Sequence, residues 1–340
     1  MKPLLLLCTL TVVLELAAYS QERKPLLKPS YKIIEKVPAA SFMESPLTGK
    51  KIDLTPQGKF DSQTGNFVIL LRNPEDTMKW ARVLWEPATK LEVIVTAQVS
   101  MEGSEYVYDY TLQNLSSSRQ AVGTFALEVD TAVVVSCQVP NEGKWHYYLP
   151  NARRKMWVFS GGDIVTSHGE IVGYVLKAGR TLGGFVVRSQ SPPAMITCYV
   201  TGNVGQGGRR VIGLSAEMVP SEILDALPSA SEDRLMGITI GPQAATATIT
   251  PAQFLDRLLS MIDESFKEGW IGKEALAHQF HTLVNSAKEQ LLKGNTVGGK
   301  QTLNTFLQLV ETTYQRGEIL SEPYGLFKYN TLYLTEKLLE

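Results

Sequence analysis

At 340 residues, with 44% apolar and 20% charged positions, the chain is long enough for more than one ordinary domain and too apolar to be disordered or fibrous. Its formal net charge of -1 provides no long-range attraction for nucleic acid or an anionic membrane, so neither is expected as a partner.

The chain begins MKPLLLLCTLTVVLELAAYSQERK: one lysine, an apolar run, then small residues. That order predicts a secretory signal peptide over residues 1–20, cut after Ser20. The run from Pro3 to Ala18 is shorter than the roughly 20 residues a bilayer span needs, and Glu15 interrupts it. Cys8 leaves with the leader. No comparable run follows, so the mature chain is expected to lack a transmembrane segment and to be secreted or periplasmic, in association with the cell surface or free of it. Residues 21–63 carry eight Lys or Arg against five Asp or Glu, with several prolines. They read as an extended N-terminal arm with edge strands such as YKIIEKV.

From 64 to 219 the pattern is that of an all-β protein. Short runs rich in Val, Ile, Thr and aromatics, such as KLEVIVTAQVS, YVYDYTLQNL, AVGTFALEV, TLGGFVVRS and MITCYVTG, are separated by turn sequences such as NLSSSRQ, PNEGK and KAGRT. In YVYDYTL, residues Tyr106, Tyr108, Tyr110 and Leu112 share one face by the two-residue period of a strand. The spacing predicts an antiparallel, Ig-like β-sandwich. No alternation of strand and helix is present to suggest a nucleotide-binding α/β domain.

Three sets of residues in this chain invite a functional reading. Cys137 and Cys198 lie in two strand-like runs. In an oxidising compartment they form a disulfide or remain two buried thiols, and the sequence leaves both open. In GKWHYYLP, Trp145 and Tyr147 fall on one strand face, either an aromatic platform for a sugar ring or part of the core. The third set, in the helical region, is Glu274, His278 and His281.

Residues 220–250, rich in Pro, Ser, Ala and Thr, read as a linker whose apolar piece LMGITIGP docks on a neighbour. The period then becomes helical over 251–340. Thr250 with Pro251 and Gln253 forms an N-terminal capping signature, and Phe254, Leu255, Leu258, Ile262 and Phe266 make an apolar stripe ending at Gly269. Three further helices are predicted: Gly272 to Lys293, one carrying Leu303, Phe306, Leu307 and Val310, and one starting near Ser321. Together they make a four-helix bundle. On the second helix Leu276, Phe280, Leu283, Val284, Ala287 and Leu291 form the core stripe, while Glu274, His278 and His281 lie on the wet face. Two His and a carboxylate are a zinc ligand set, but such sites need walls and supporting partners that a wet helix face does not offer, and the HExxH pattern is absent. A metal there is not expected.

The stretch GWIGKEALAHQFHTLVNSAKEQLLKGN followed by GGKQTLNTFLQLVETTYQRGEIL resembles the FIMAH domain, a helical module at the C-terminus of exported bacterial proteins. Gly269, Ile271, Phe280, Val284, Ala287, Leu291, Gly294, Leu303, Phe306 and Gly317 carry the resemblance, and His278 and His281 fall outside it. NTVGGK replaces the Ala-rich approach to the third helix, and EPYGLFKYNTLY is more aromatic than the family. The resemblance implies a non-catalytic accessory domain on a secreted or surface protein.

Neither a Gly-x-Ser-x-Gly elbow nor a P-loop, a calcium-binding Asp ladder or a Rossmann glycine set is present, and no cofactor is expected. Asn114 opens a glycosylation sequon and reads as a turn residue. Together these features predict an exported, non-enzymatic binding or scaffolding protein of the bacterial cell surface or periplasm, with a protein or glycan partner. The alternatives are a carbohydrate-binding protein using Trp145 and Tyr147, and a hydrolase with a site between its two parts.

Overall fold

The computed structural model describes residues 86–141, 145–148, 156–161, 164–165, 171–172, 175–203, 209–212, 233–243 and 249–338, with residue 63 and short strands between 28 and 85. The leader and YKIIEKV lie outside the described residues.

In chain order the strands are β1 (Lys28–Pro29), β2 (Phe42–Glu44), β3 (Lys51–Asp53), β4 (Gln57–Asp61), β5 (Asn66–Arg72), β6 (Trp80–Trp85), β7 (Val93–Glu102), β8 (Glu105–Asn114), β9 (Val122–Glu128), β10 (Val134–Gln138), β11 (His146–Tyr148), β12 (Met156–Ser160), β13 (Ile164–Val165), β14 (Ile171–Val172), β15 (Arg180–Ser189), β16 (Pro193–Gly202), β17 (Arg209–Ile212) and β18 (Leu235–Pro242). Two antiparallel sheets dominate: a larger one ordered β1-β18-β16-β9-β12-β11 and a smaller one ordered β10-β15-β8-β7. The helices are α1 (Pro251–Lys267), α2 (Glu274–Leu292), α3 (Thr296–Gln315) and α4 (Ser321–Tyr333), the last running into a π-helical turn at Leu334–Leu338. The expected order, a β-sandwich followed by four helices, is the order observed.

The period-two pattern of YVYDYTL is realised directly. Tyr106, Tyr108, Tyr110 and Leu112 are all buried, and opposite them β7 contributes Val95, Ala97, Val99 and Met101 in register. Aromatic rings join the two sheets across the core. Phe125 of β9 meets Tyr110 of β8 at 5.7 Å and Phe185 of β15 at 5.6 Å, and stacks on Phe159 of β12 at 5.8 Å. Such offset and edge contacts add about 0.5–1.5 kcal/mol each beyond area burial. Buried Tyr hydroxyls find acceptors: Tyr110 donates to the Ile240 carbonyl at 2.9 Å and Tyr108 to the Ser191 carbonyl at 2.7 Å. Asn114, expected in a turn, is instead the buried last residue of β8, where its Nδ2 donates to the carbonyls of Gln120 and Leu176.

The segment LMGITIGP, placed in a linker by its composition, is strand β18. It pairs with β16 from Pro193↔Pro242 through Val200↔Leu235. The reason is geometric: β16 has an open edge, and β18 satisfies its backbone groups while Leu235, opposite Val200, adds to the sandwich core. β1, from the N-terminal arm, pairs in turn with the start of β18.

The helix ends follow local chemistry. Thr250 Oγ1 accepts from Gln253 N while Thr250 N donates to Gln253 Oε1, the reciprocal capping arrangement. Gly269, Gly294 and Gly317 adopt positive φ where α1, α2 and α3 stop. Phe280, Phe306 and Phe327 form the centre of the bundle, each pair 5.5–5.9 Å apart.

Helix α4 is not a surface helix of that bundle. Its residues are buried nearly all round, polar ones included: Ser321, Glu322, Asn330 and Thr331 are each less than 8% exposed. Glu322 Oε1 accepts from the backbone N–H of Ala97 at 2.8 Å, on the outermost strand of the smaller sheet. Tyr329 packs edge-on against Tyr106 at 5.8 Å. A Cβ on Gly325 would stand 3.1 Å from Val99 and 3.4 Å from Ile240, so the helix backbone approaches both sheets. Asn330 Nδ2 donates to the Pro193 carbonyl at 2.8 Å. The buried residues of sandwich and bundle therefore form one continuous cluster.

Removing the Glu322 carboxylate orphans a buried N–H and opens space at the junction, so Glu322→Ala is expected to cost about 1–3 kcal/mol. Urea unfolding in a Trp270→Phe background, where the remaining tryptophans all precede the helices, followed by helical circular dichroism and by tryptophan fluorescence, measures it. The two signals should stay coincident, because the core is shared.

Candidate functional site

Trp145 and Tyr147 share the inward side of the larger sheet, as the strand period requires, but not one exposed platform. Trp145 is 5% exposed and lies edge-on to Phe185 at 5.0 Å, whereas Tyr147 is 45% exposed. β11 is the last strand of its sheet, so Tyr147, opposite Phe159, sits where the core meets the rim. The indole is core, and the pair does not form a stacking surface for a sugar.

Cys137 and Cys198 are free, buried thiols. They stand on β10 and β16, strands of opposite sheets. Burial pushes both thiols up from the ordinary 9.0 to about 12.

Glu274, His278 and His281 do not converge. His278 Nε2 stands 3.6 Å from Glu274 Oε1 on an exposed turn of α2, and His281 Nε2 turns to Asp263 Oδ1 of α1 at 2.7 Å. Among the described residues no group of three His, Cys, Asp or Glu is placed to hold a metal. The imidazole of His281 instead bridges two helices.

A cleft of about 390 Å³ lies where α1 passes over the outer face of the larger sheet. Glu128 of β9, Met195, Ile196 and Thr197 of β16, Ile238 of β18 and Glu264 of α1 line it. Sheet register explains the floor. Thr197 pairs with Ile238, and Cys198 pairs with Leu127, which puts Glu128 beside Thr197. These three side chains thus form one row across three strands on the side away from the core. The helix wall is positioned by α4: Asn330, which holds Pro193, also lies 3.9 Å from Met261 Sδ of α1, and Phe254 of α1 stacks on Tyr333 at 5.6 Å.

The next row along the sheet carries charge. Tyr199 Oη donates to Glu128 Oε2 at 3.1 Å, and the Arg234 guanidinium lies 3.5 Å from the centre of the Tyr199 ring, within cation–π range. Burial, then the negative charge of Glu128, raise the Tyr199 hydroxyl above its usual value of 10.0, so it remains a donor to that carboxylate. Glu264 accepts from Lys267 Nζ at 3.2 Å in an exposed pair that contributes little. The site therefore offers two carboxylates, a hydroxyl and an aliphatic floor, open to solvent on one side. None of these residues is singled out by sequence. Glu128 ends a strand, Glu264 lies on an ordinary helix face, and their meeting depends on docking. The available signal was the outward alternation of Thr197, Tyr199, Met236 and Ile238.

No protein-family model matches the chain, and no curated protein matches it. No helix among the described residues is long and apolar enough to cross a membrane.

Two outcomes follow from the buried groups. Replacing Trp145 with Ala should cost about 3–5 kcal/mol, whereas Tyr147→Ala should cost less than about 1 kcal/mol in the same denaturation experiment. The thiols should also make the fold sensitive to alkali. Folding keeps them protonated, and the unfolded chain releases those protons once the pH passes the ordinary thiol value of 9.0. Their contribution is complete below that pH and is lost as pH rises towards about 12. Thermal midpoints should fall over this range, and less steeply in Cys137→Ala/Cys198→Ala.

Proposed function

We propose that this is an exported, non-enzymatic binding or scaffolding protein of the bacterial cell surface or periplasm, and that it engages its partner at the cleft between the larger sheet and α1. The observation carrying this reading is the cleft itself: a concave, mixed apolar and acidic surface built from three strands and a helix that belong to one continuous core. A site on rigid elements loses little conformational entropy when it binds. The leader-like N-terminus supports export, and the resemblance of the last four helices to an accessory domain of exported bacterial proteins supports a non-catalytic role.

A hydrolase is the second reading, favoured by one feature. Glu128 and Glu264 approach the same cleft from different elements, and two carboxylates facing one space are the minimal equipment for acid–base cleavage. Turnover of polysaccharide or peptide substrates that disappears in both Glu128→Gln and Glu264→Gln would establish it in place of binding.

Thr197→Trp fills the cleft from its floor, and Thr197→Arg blocks it by charge. On arrays of bacterial glycans and peptides the mature protein should retain specific ligands. Both variants, checked for native circular dichroism, should lose them without loss of stability. Retention of every ligand by both variants would remove the cleft from the function.

A further inference from the structure

We infer that β10 pairs with β10 of a second copy of this chain, antiparallel about a two-fold axis near Ser136, and joins the two smaller sheets into one. None of the residues lining the cleft is on β10, so this association and the binding reading stand or fall separately.

The smaller sheet, ordered β10-β15-β8-β7, has two ends. At the β7 end, Glu322 of α4 accepts the backbone N–H of Ala97, and the helix covers the strand. The β10 end has no such cover. Among the described residues β10 pairs with β15 alone, and Val135, Ser136 and Gln138 are exposed. In an antiparallel ladder alternate residues turn both N–H and C=O away from the neighbouring strand. β10 therefore presents donors and acceptors at strand spacing to solvent, which is the template for a further strand.

Open edges are ordinarily protected by shortness, charge, proline or a bulge. The larger sheet ends in β1 and β11, which are two and three residues long. The β10 run is different. TAVVVSCQV, from Thr131 to Val139, has neither a charged residue nor a proline. A bulge lies between Val134 and Ser136, and Val135 is 54% exposed there. Beyond it Ser136, Cys137 and Gln138 keep regular register with Arg188, Val187 and Val186, so the rest of the edge stays straight enough to pair.

The occupant follows from what such an edge accepts. It must be extended, because only a strand matches the spacing of the backbone groups. It must also be uncharged, since a charge set against Val135 would be desolvated without a partner. β10 itself meets both conditions. In a second copy it is also the sandwich edge that is available, because β7 is held by α4 and β1 and β11 are too short to span it. Pairing β10 with itself is isologous, so it consumes both open edges and closes as a dimer instead of growing into a fibre. Residues at the axis then face their own copies, and a run without charge has nothing there to repel itself.

Sedimentation velocity of the mature protein should show a dimer that dissociates on dilution through the micromolar range, about 1–100 µM. Val135→Lys/Ser136→Lys puts like charges across the axis on side chains that already face solvent. The fold, checked by circular dichroism, should stay native while dimerisation weakens by about tenfold or more. Val135→Glu/Ser136→Glu should weaken it likewise, and an equimolar mixture of the lysine and glutamate variants should associate again. Hydrogen exchange provides a second reading: the amides of Val134–Gln138 should exchange faster in the lysine variant than in the unsubstituted protein at the same concentration. A protein that stays monomeric at about 100 µM, a lysine variant that dimerises as tightly as the unsubstituted chain, β10 amides that exchange equally in both, or a mixture no tighter than either variant alone overturns the inference.

Discussion

The hydrogen bond from the Ala97 N–H to the buried carboxylate of Glu322 is the contact on which the arrangement of this molecule depends. β7 is the outermost strand of the smaller sheet, and its free edge would expose unpaired backbone donors. A side-chain carboxylate supplies the acceptor that a further strand would have supplied. Placing it there buries α4 on two sides: Phe327 enters the aromatic centre of the bundle while Tyr329 meets Tyr106 of the sandwich. A charged group in that position is tolerable only with its oxygens satisfied, and Ser321 Oγ donates to the second one at 3.2 Å.

From this docking follows the location of the cleft. Asn330 ties α4 to the β16 terminus at Pro193, and Phe254 and Met261 bring α1 into place against α4. Glu264 projects from the same helix, one turn beyond Met261, and so reaches the sheet face that carries Glu128. The aromatic core of the sandwich sets the floor, and the helices set the wall. A sandwich with a freely tethered bundle would have the floor alone, a flat sheet face.

The inner face shows the opposite side of the same economy. Trp145, Cys137 and Cys198 are residue types that often carry function, yet here each is part of the packing. Trp145 fills the end of the sandwich beside Phe185, and burial keeps the thiols protonated and poorly nucleophilic. The cleft outside the core is lined instead by Glu128 of the sheet and Glu264 of α1.

Much of the architecture was legible in the sequence. The alternation of Tyr106, Tyr108, Tyr110 and Leu112 specified a strand with one buried face, and Thr250, Gln253 and Gly269 marked where the first helix begins and ends. These are short-range effects, set by backbone period, capping and the steric freedom of glycine, so neighbouring residues suffice to read them. Composition placed LMGITIGP in a linker and its apolar character marked it as a docking piece, but the Pro- and Ser-rich residues around it gave no indication that it would dock as a strand on the edge of β16. Nor could the strand period distinguish a buried Trp145 from a half-exposed Tyr147 on the same side, since that depends on how far the opposite sheet extends. The Glu322–Ala97 bond and the meeting of Glu128 with Glu264 join residues more than a hundred positions apart. Tertiary structure alone decided them, because long-range partners are chosen by which faces remain uncovered after each element has formed, and no local pattern encodes that remainder.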